Sequence, residues 1–319
     1  MGDVVETVQL SLSEKIIELK KRKNAVLLAH YYQYPEIQEI ADFVGDSLAL
    51  SKKASETDAD IIVFAGVHFM GETAKLLNPS KKVLIPDLEA GCSLSDSCQA
   101  VDFAQLKAQY PDHATVTYIN CSAEVKALSD YICTSSNAVA VINSIPKSKP
   151  ILFAPDQNLG RYLIQETGRE MLLWDGACVV HEAFSFEKLL DVIKENPIAE
   201  IIAHPESEEH ILKVAAFVGS TAALLKYVQE SKKKSFIIAT EVGILHEMQK
   251  AAPEKRLIPA PAKEDNTCAC SECAFMKVNT LQKVFDCLQN EVPEILIPEE
   301  VAERARKPLV DMLTLSFGK

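Results

Sequence analysis

The order strand, helix, strand, helix, strand, helix, strand, cysteine occurs three times along this chain of 319 residues, and that repetition constrains the fold more than any single motif. In the first copy, Ala25-Val-Leu-Leu-Ala-His30-Tyr-Tyr32 reads as a buried parallel strand, being short, apolar and followed by polar helical sequence. Asp42-Phe-Val-Gly45-Asp-Ser47 then leads into a helix. Strand-like Ile61 to Gly66 and Lys82 to Pro86 follow, with Gly91-Cys92 ahead of a helix from about Ser95. The second copy starts at Thr115: a strand to Asn120, then Asp130-Tyr-Ile-Cys-Thr-Ser135, Ile151 to Pro155, Met171 to Trp174 and Cys178. The third has Ile201 to Glu206, Ala216-Phe-Val-Gly-Ser220-Thr221, Phe236 to Thr240, Arg256 to Ala260 and the cysteines 268, 270 and 273.

Ser47, Ser135 and Ser220 lie 88 and 85 residues apart, and Cys92 and Cys178 lie 86 apart. A period this long exceeds a solenoid unit and matches a repeated small domain. The fold class expected is α/β: three pseudo-threefold-related α/β/α domains, each a small four-stranded parallel sheet, around a central active site. The expected divisions are 1–113 with an N-terminal helix capped by Ser11 and Glu14, 114–198, 199–291, and a C-terminal extension 292–319 packing back on the first domain. Ligands of open parallel sheets bind beyond the carboxyl ends of strands, which here carry His30/Tyr32, Tyr118/Asn120 and His204/Glu206.

Composition narrows the function classes. A net charge of −12 without a long Lys/Arg block argues against nucleic acid or anionic membrane as a partner. No run approaches 18 apolar residues and the N-terminus lacks a signal-peptide core, so a soluble cytoplasmic protein is expected. Its nine cysteines should then be reduced, free to bind metal.

One thiolate from each domain suits a metal site on the pseudo-symmetry axis, with Cys92, Cys178 and one of the last cluster as candidates. Each precedes a helix whose N-terminal dipole favours the thiolate. Three ligands fit a 4Fe-4S cluster with one iron not ligated by protein. The alternative is that these are small buried hydrophobes, the reading that suits Cys98, Cys121, Cys133 and Cys287. Ser47, Ser135, Ser220 and Thr221 begin helices, as anion-binding hydroxyls or as plain N-caps. His30, His181 and His204 suit an anionic substrate or proton shuttling, with His68, His113, His210 and His246 weaker candidates. Tyr32 and Glu206 are the expected acid/base pair, although Glu206 could equally cap a helix.

Ala29-His30-Tyr-Tyr32, Gly45-Asp-Ser47, Gly91-Cys92-Ser, Tyr118-Ile-Asn120, Cys133-Thr-Ser-Ser-Asn137, His204-Pro-Glu206, Gly219-Ser-Thr221, Thr240-Glu241 and Cys273-Ala-Phe-Met276-Lys, in this order, resemble the quinolinate synthase family nearly end to end. The resemblance implies condensation of iminoaspartate with dihydroxyacetone phosphate to quinolinate, phosphate and water in NAD biosynthesis, with a 4Fe-4S cluster as Lewis acid. It implies an L-aspartate oxidase or aspartate dehydrogenase as the source of iminoaspartate. Carried onto matching positions, the ligands are Cys92, Cys178 and Cys273, with Met276 close by, and Tyr32 and Glu206 act in proton transfer. His30, Ser47, Tyr118, Asn120, Ser135, His181, His204, Ser220 and Thr221 would hold the substrates. The family's frequent Cys-x-x-Cys-x-x-Cys is here Cys268-x-Cys270-x-x-Cys273, which leaves a regulatory disulfide unassigned. A cluster-dependent dehydratase of another small carboxylate, or an iron–sulfur or zinc carrier, are the competing readings.

Overall fold

The structure, a computed structural model, describes residues 10–263 and 271–318; Cys268 and Cys270 lie outside them. The described residues form three sheets of four parallel strands. The first holds β1 (Ala25–His30), β2 (Phe43–Gly45), β3 (Ile61–Ala65) and β4 (Lys82–Leu84). The second holds β5 (Ala114–Tyr118), β6 (Tyr131–Cys133), β7 (Ile151–Ala154) and β8 (Met171–Leu173). The third holds β9 (Glu200–Ala203), β10 (Phe217–Val218), β11 (Ser235–Ala239) and β12 (Arg256–Pro259). Every sheet has its second strand at one edge, then its first, third and fourth. The direction in which strands are added across the sheet therefore reverses between first and third strand, which opens a crevice at their carboxyl ends.

The repeat extends to individual hydrogen bonds. Asp42 N donates to Leu27 O, Asp130 N to Thr115 O and Ala216 N to Ile201 O, at 2.9, 3.1 and 2.8 Å, fixing the entry to the second strand in each unit. In the first two units the same aspartate reaches back to the first strand. Asp42 Oδ2 accepts from Leu27 N at 2.7 Å and Asp130 Oδ2 from Thr115 N at 2.8 Å. A lysine from the helix before the first strand joins each aspartate, Lys20 at 2.9 Å and Lys107 at 3.4 Å. The third unit has Ala216 at this position and lacks the device.

The N-terminal helix Leu12–Arg22 is capped as expected: Ser11 Oγ accepts from Glu14 N, and Glu14 Oε2 accepts from Ser11 N at 2.7 Å. Its buried Ile16 and Leu19 join Leu27, Val63 and Leu288 in one apolar cluster. The C-terminal helix Glu299–Phe317 packs against helix His68–Leu77 of the first unit and also against helix Ala123–Ala127 and β6 of the second. Its Ala305, Leu309 and Met312 fill a core continuous with Leu28 and Val116, so the extension is a wedge between two units rather than a cover on one. First strands are shorter than the sequence suggested. Tyr32, Asn120 and Glu206 lie in turns just beyond β1, β5 and β9, because ladder partners run out at His30↔Gly45, Tyr118↔Cys133 and Ala203↔Val218. No helix among the described residues is long and apolar enough to cross a membrane.

Candidate active site

The carboxyl ends of the three sheets face one cavity, and the turns after the first strands supply its polar wall. His30 and His204 occupy equivalent positions and are held in equivalent ways. Tyr32 N donates to His30 Nδ1 at 3.2 Å and Glu206 N to His204 Nδ1 at 3.4 Å. A ring nitrogen that accepts cannot carry the proton, so each neutral imidazole presents Nε2–H as a donor. His204 Nε2 lies 3.2 Å from Ser135 Oγ. Burial pushes both histidines down to about 3, His30 assisted by His204. They are neutral donors at physiological pH.

Glu206 is the hub. It is 3% exposed, and its Oε1 accepts from Tyr118 Oη at 2.5 Å while Oε2 lies 2.9 Å from His181 Nδ1. Burial opposes its charge, but His204, His181 and the hydrogen bonds from His181 and Tyr118 outweigh that and hold the carboxyl below its usual range. Burial, reinforced by Glu206, pushes Tyr32 and Tyr118 well above ordinary phenols. The wall thus combines an ionised acceptor with two protonated donors. Asn120 also lines the cavity, and its buried Oδ1 has no hydrogen-bond partner among the described residues.

Cys92, Cys178 and Cys273 line the same cavity, one from each repeated unit. Each is the N-cap of a short helix: Ser93–Ser97, Val179–Glu182 and Ala274–Lys277. The backbone N–H groups of these helix starts do lower each thiol, as expected. Burial dominates the backbone N–H donors, raising Cys92 to about 12, Cys273 to about 11 and Cys178 well above the usual range. The three sulfurs are near enough to raise one another further. Clustered, buried, protonated thiols of this kind ionise when a metal replaces the protons, so the donor set fits a thiolate-ligated metal centre. Met276, 4% exposed, stands beside them in the wall. Cys178 Sγ, His181 Nδ1 and a Glu206 oxygen also lie within 4.8 Å of one another. Cys98, Cys121, Cys133 and Cys287 are buried among apolar residues, as their sequence positions suggested.

The serines differ more than the repeat implied. Ser47 opens helix Ser47–Glu56, but its N-cap is Asp46, whose Oδ1 accepts from Ala49 N at 2.9 Å. Ser135 lies in a turn, two residues before the N-cap Asn137. Ser220 is a true N-cap, accepting from Ala223 N at 3.3 Å, and its hydroxyl also meets Ser136 Oγ at 2.8 Å. Ser47, Ser135 and Thr221 line the cavity, while Ser220 stands behind Thr221. His68, His113, His210 and His246 do not line it.

Sequence reasoning missed Asp46 in the wall and the polar residues behind it. Ser136 Oγ donates to Asp46 Oδ2 at 2.6 Å and joins Ser220, tying all three units at one point. Glu241, fully buried, accepts from Cys273 N at 3.2 Å and Gly243 N at 2.6 Å, and pairs with Lys277 at 3.3 Å. Lys277 in turn donates to Tyr32 O at 2.7 Å. Asp46 lies inside the Gly45-Asp-Ser47 string and Glu241 inside Thr240-Glu241, but neither string shows what its carboxylate meets in the folded chain.

A family model described as quinolinate synthetase A protein matches residues 14–314. The chain is 59% identical over 306 residues to the quinolinate synthase of Trichodesmium erythraeum, covering 96% of this chain and 94% of that protein. It is 58% identical over 309 residues to the quinolinate synthase of Gloeothece citriformis, covering 97% and 95%. It is 59% identical over 301 residues to that of Microcystis aeruginosa, covering 94% of each. With a match of this length laid over a cavity that gathers acid, base and thiol groups from three units, the chain belongs to the quinolinate synthetase A protein family and is an enzyme.

Proposed function

We propose that this enzyme condenses iminoaspartate with dihydroxyacetone phosphate to give quinolinate, phosphate and water for NAD biosynthesis, using a 4Fe-4S cluster held by Cys92, Cys178 and Cys273. The observation that carries the reading is the placement of one cysteine from each repeated unit in a single cavity wall with Tyr118, Glu206 and His181. Such a cluster, with one iron free of protein ligands, would supply a Lewis acid for a substrate oxygen. An L-aspartate oxidase or aspartate dehydrogenase would supply the unstable imine.

The residues divide the remaining work by charge. Each dehydration needs a proton removed from carbon and another given to the departing oxygen. Glu206, ionised, takes the first; Tyr32, kept protonated by burial, gives the second. Tyr118 keeps the Glu206 carboxylate oriented. His30, His204 and Asn120 hydrogen-bond substrate carboxylates and hydroxyls without adding charge. Ser47 and Thr221, each opening a ten-residue helix, offer hydroxyl and backbone N–H to carboxylate or phosphate. Ser135 and His181 orient His204 and Glu206, and Ser220 supports Thr221.

The test is quinolinate formation from the two substrates by anaerobically prepared wild type, Tyr32→Phe and Glu206→Gln. General acid–base groups contribute about 10²–10⁴-fold, so each variant should lose turnover by that order while keeping its iron. No quinolinate from the wild type would refute the reading. The close approach of Cys178, His181 and Glu206 supports a second reading, a single-metal centre acting as a dehydratase of another small carboxylate. Metal content separates the two.

A further inference from the structure

The turn after β6 is held from outside the cavity. Thr134, Ser135, Ser136 and Asn137 make it up. Thr134 and Ser135 line the cavity, Ser135 Oγ lies 3.2 Å from His204 Nε2, and Ser136 meets Asp46 and Ser220. Asn137 is 6% exposed and does not line the cavity. It is the N-cap of helix Ala138–Ser144, yet its side chain makes no capping bond. Instead its Oδ1 accepts from Thr134 N at 2.7 Å and from Thr134 Oγ1 at 3.2 Å. Its Nδ2 donates to Ser316 Oγ at 2.8 Å, in the last turn of helix Glu299–Phe317.

The direction of each bond follows from which atoms own protons. Ser316 Oγ gives its hydrogen to Met312 O at 2.8 Å, so towards Asn137 it offers a lone pair. That turns the amide NH2 to Ser316 and leaves Oδ1 facing Thr134. Thr134 Oγ1 donates to this oxygen and accepts from Ser136 N at 3.2 Å, while Asn137 N donates to Thr134 O at 3.1 Å. The turn is thereby fixed in one conformation by a helix of the C-terminal extension. Phe317, next to Ser316, lies under the Lys52 ammonium, with 4.3 Å from nitrogen to ring centroid. Lys52 is on helix Ser47–Glu56, so one helix end touches both elements that bring Ser47 and Ser135 to the cavity.

We propose that Asn137 is a positioning residue for substrate binding: anchored on Ser316, its side chain sets the turn that presents Ser135 to His204 and to the bound anion. The inference rests on the proposed role of Ser135 and His204 at the substrate and names what aims them. Leucine at 137 keeps the volume and removes both polar ends, so Thr134 N loses its acceptor and the turn its tie to the C-terminal helix. Alanine at 316 removes only the anchor, and the amide is then free to rotate. Alanine is also the better helix former, so Ser316→Ala leaves the helix itself intact.

The experiment compares wild type, Asn137→Leu, Ser316→Ala and Ser316→Thr as anaerobic holoenzymes, measuring quinolinate affinity, kcat and KM for quinolinate formation, iron content and melting temperature. One neutral hydrogen bond is worth about 2- to 10-fold in an equilibrium, so Ser316→Ala should weaken quinolinate binding and raise KM by that factor. Its iron and melting temperature should stay near wild type, and Ser316→Thr, which keeps the hydroxyl, should restore the affinity. Asn137→Leu, which loses several such bonds, should weaken binding by about 10- to 100-fold. Wild-type affinity in Asn137→Leu overturns the inference, and so does a lowered melting temperature with unchanged affinity, which would make Asn137 a support for the fold alone. If Asn137→Leu does not fold, the Ser316 pair decides: wild-type affinity in Ser316→Ala, or equal loss in Ser316→Ala and Ser316→Thr, overturns the inference. A wild type that forms no quinolinate defeats the functional reading, whereas an active wild type with unaffected variants defeats this inference alone.

Discussion

Substituting alanine for Gly243 tests whether the turn that carries Tyr32 is set by backbone packing between units. Gly243 has φ −58°, which any residue adopts, so what it supplies is space rather than conformational freedom. A β-carbon there would fall 2.8 Å from Tyr32 Cα, 2.9 Å from Tyr31 O and 2.8 Å from Glu241 Oε2. Ordinary contact begins at 3.4 Å, so the Tyr31–Tyr32 backbone must retreat by more than half an ångström. It cannot do so freely. Gln38 Nε2 clamps Tyr31 O at 3.0 Å and Gly243 O at 3.1 Å, and both tyrosines pack on the core of the third unit with Ile244 and Met248. Overpacking of this kind costs about 1–3 kcal/mol. The same shift moves Tyr32 Oη away from Thr240, and displacement approaching 1 Å lowers rate by up to ~10²-fold. Gly243→Ala should show a lower denaturation midpoint and a kcat reduced by about 10- to 100-fold, with its iron retained. Wild-type kcat with a lowered midpoint would refute the idea that this packing sets the Tyr32 geometry.

Two further outcomes follow from the wall and the layer behind it. Tyr118→Phe removes the 2.5 Å hydrogen bond to Glu206; a charge-assisted bond is worth about 1.5–3 kcal/mol, so turnover should fall roughly 10- to 100-fold, and undiminished turnover would remove Tyr118 from the mechanism. Ser47→Ala should weaken quinolinate binding at nearly unchanged melting temperature, whereas Ser220→Ala, which loses an N-cap and the Ser136 contact, should lower stability by about 1 kcal/mol; the reverse pattern, measured by calorimetry of both variants, would contradict the assignment of Ser220 to the supporting layer.

The threefold architecture was legible because each unit repeats the same punctuation, a short apolar strand and a cysteine opening a short helix, with Asp42 and Asp130 before the second strand in two of the three. The residues facing the cavity were legible for a related reason, since His30, Tyr118 and His204 follow the same topological position. What the sequence concealed depends on contacts between units, which no local pattern encodes. Ser135 and Ser220 look alike as strings, yet one hydroxyl meets His204 and the other caps a helix. Asp46 and Thr240 are buried polar residues that meet Ser136 and Tyr32 only when the units dock, while Glu241 meets Lys277 across a long loop of its own unit. The burial of the thiols was concealed on the same ground. Helix N-termini are local and visible, whereas the burial that outweighs them at Cys92 and Cys178 arises when three units close over one cavity.

The account stands or falls on a cluster shared by the three units. Iron and acid-labile sulfide should be measured in anaerobically reconstituted wild type and in Cys92→Ala, Cys178→Ala and Cys273→Ala. The wild type should hold about four of each per chain with the broad visible absorption of a cluster, and each single variant should lose iron, sulfide and absorption together. A single metal ion per chain in the wild type, or a full iron complement retained by Cys273→Ala, would contradict it.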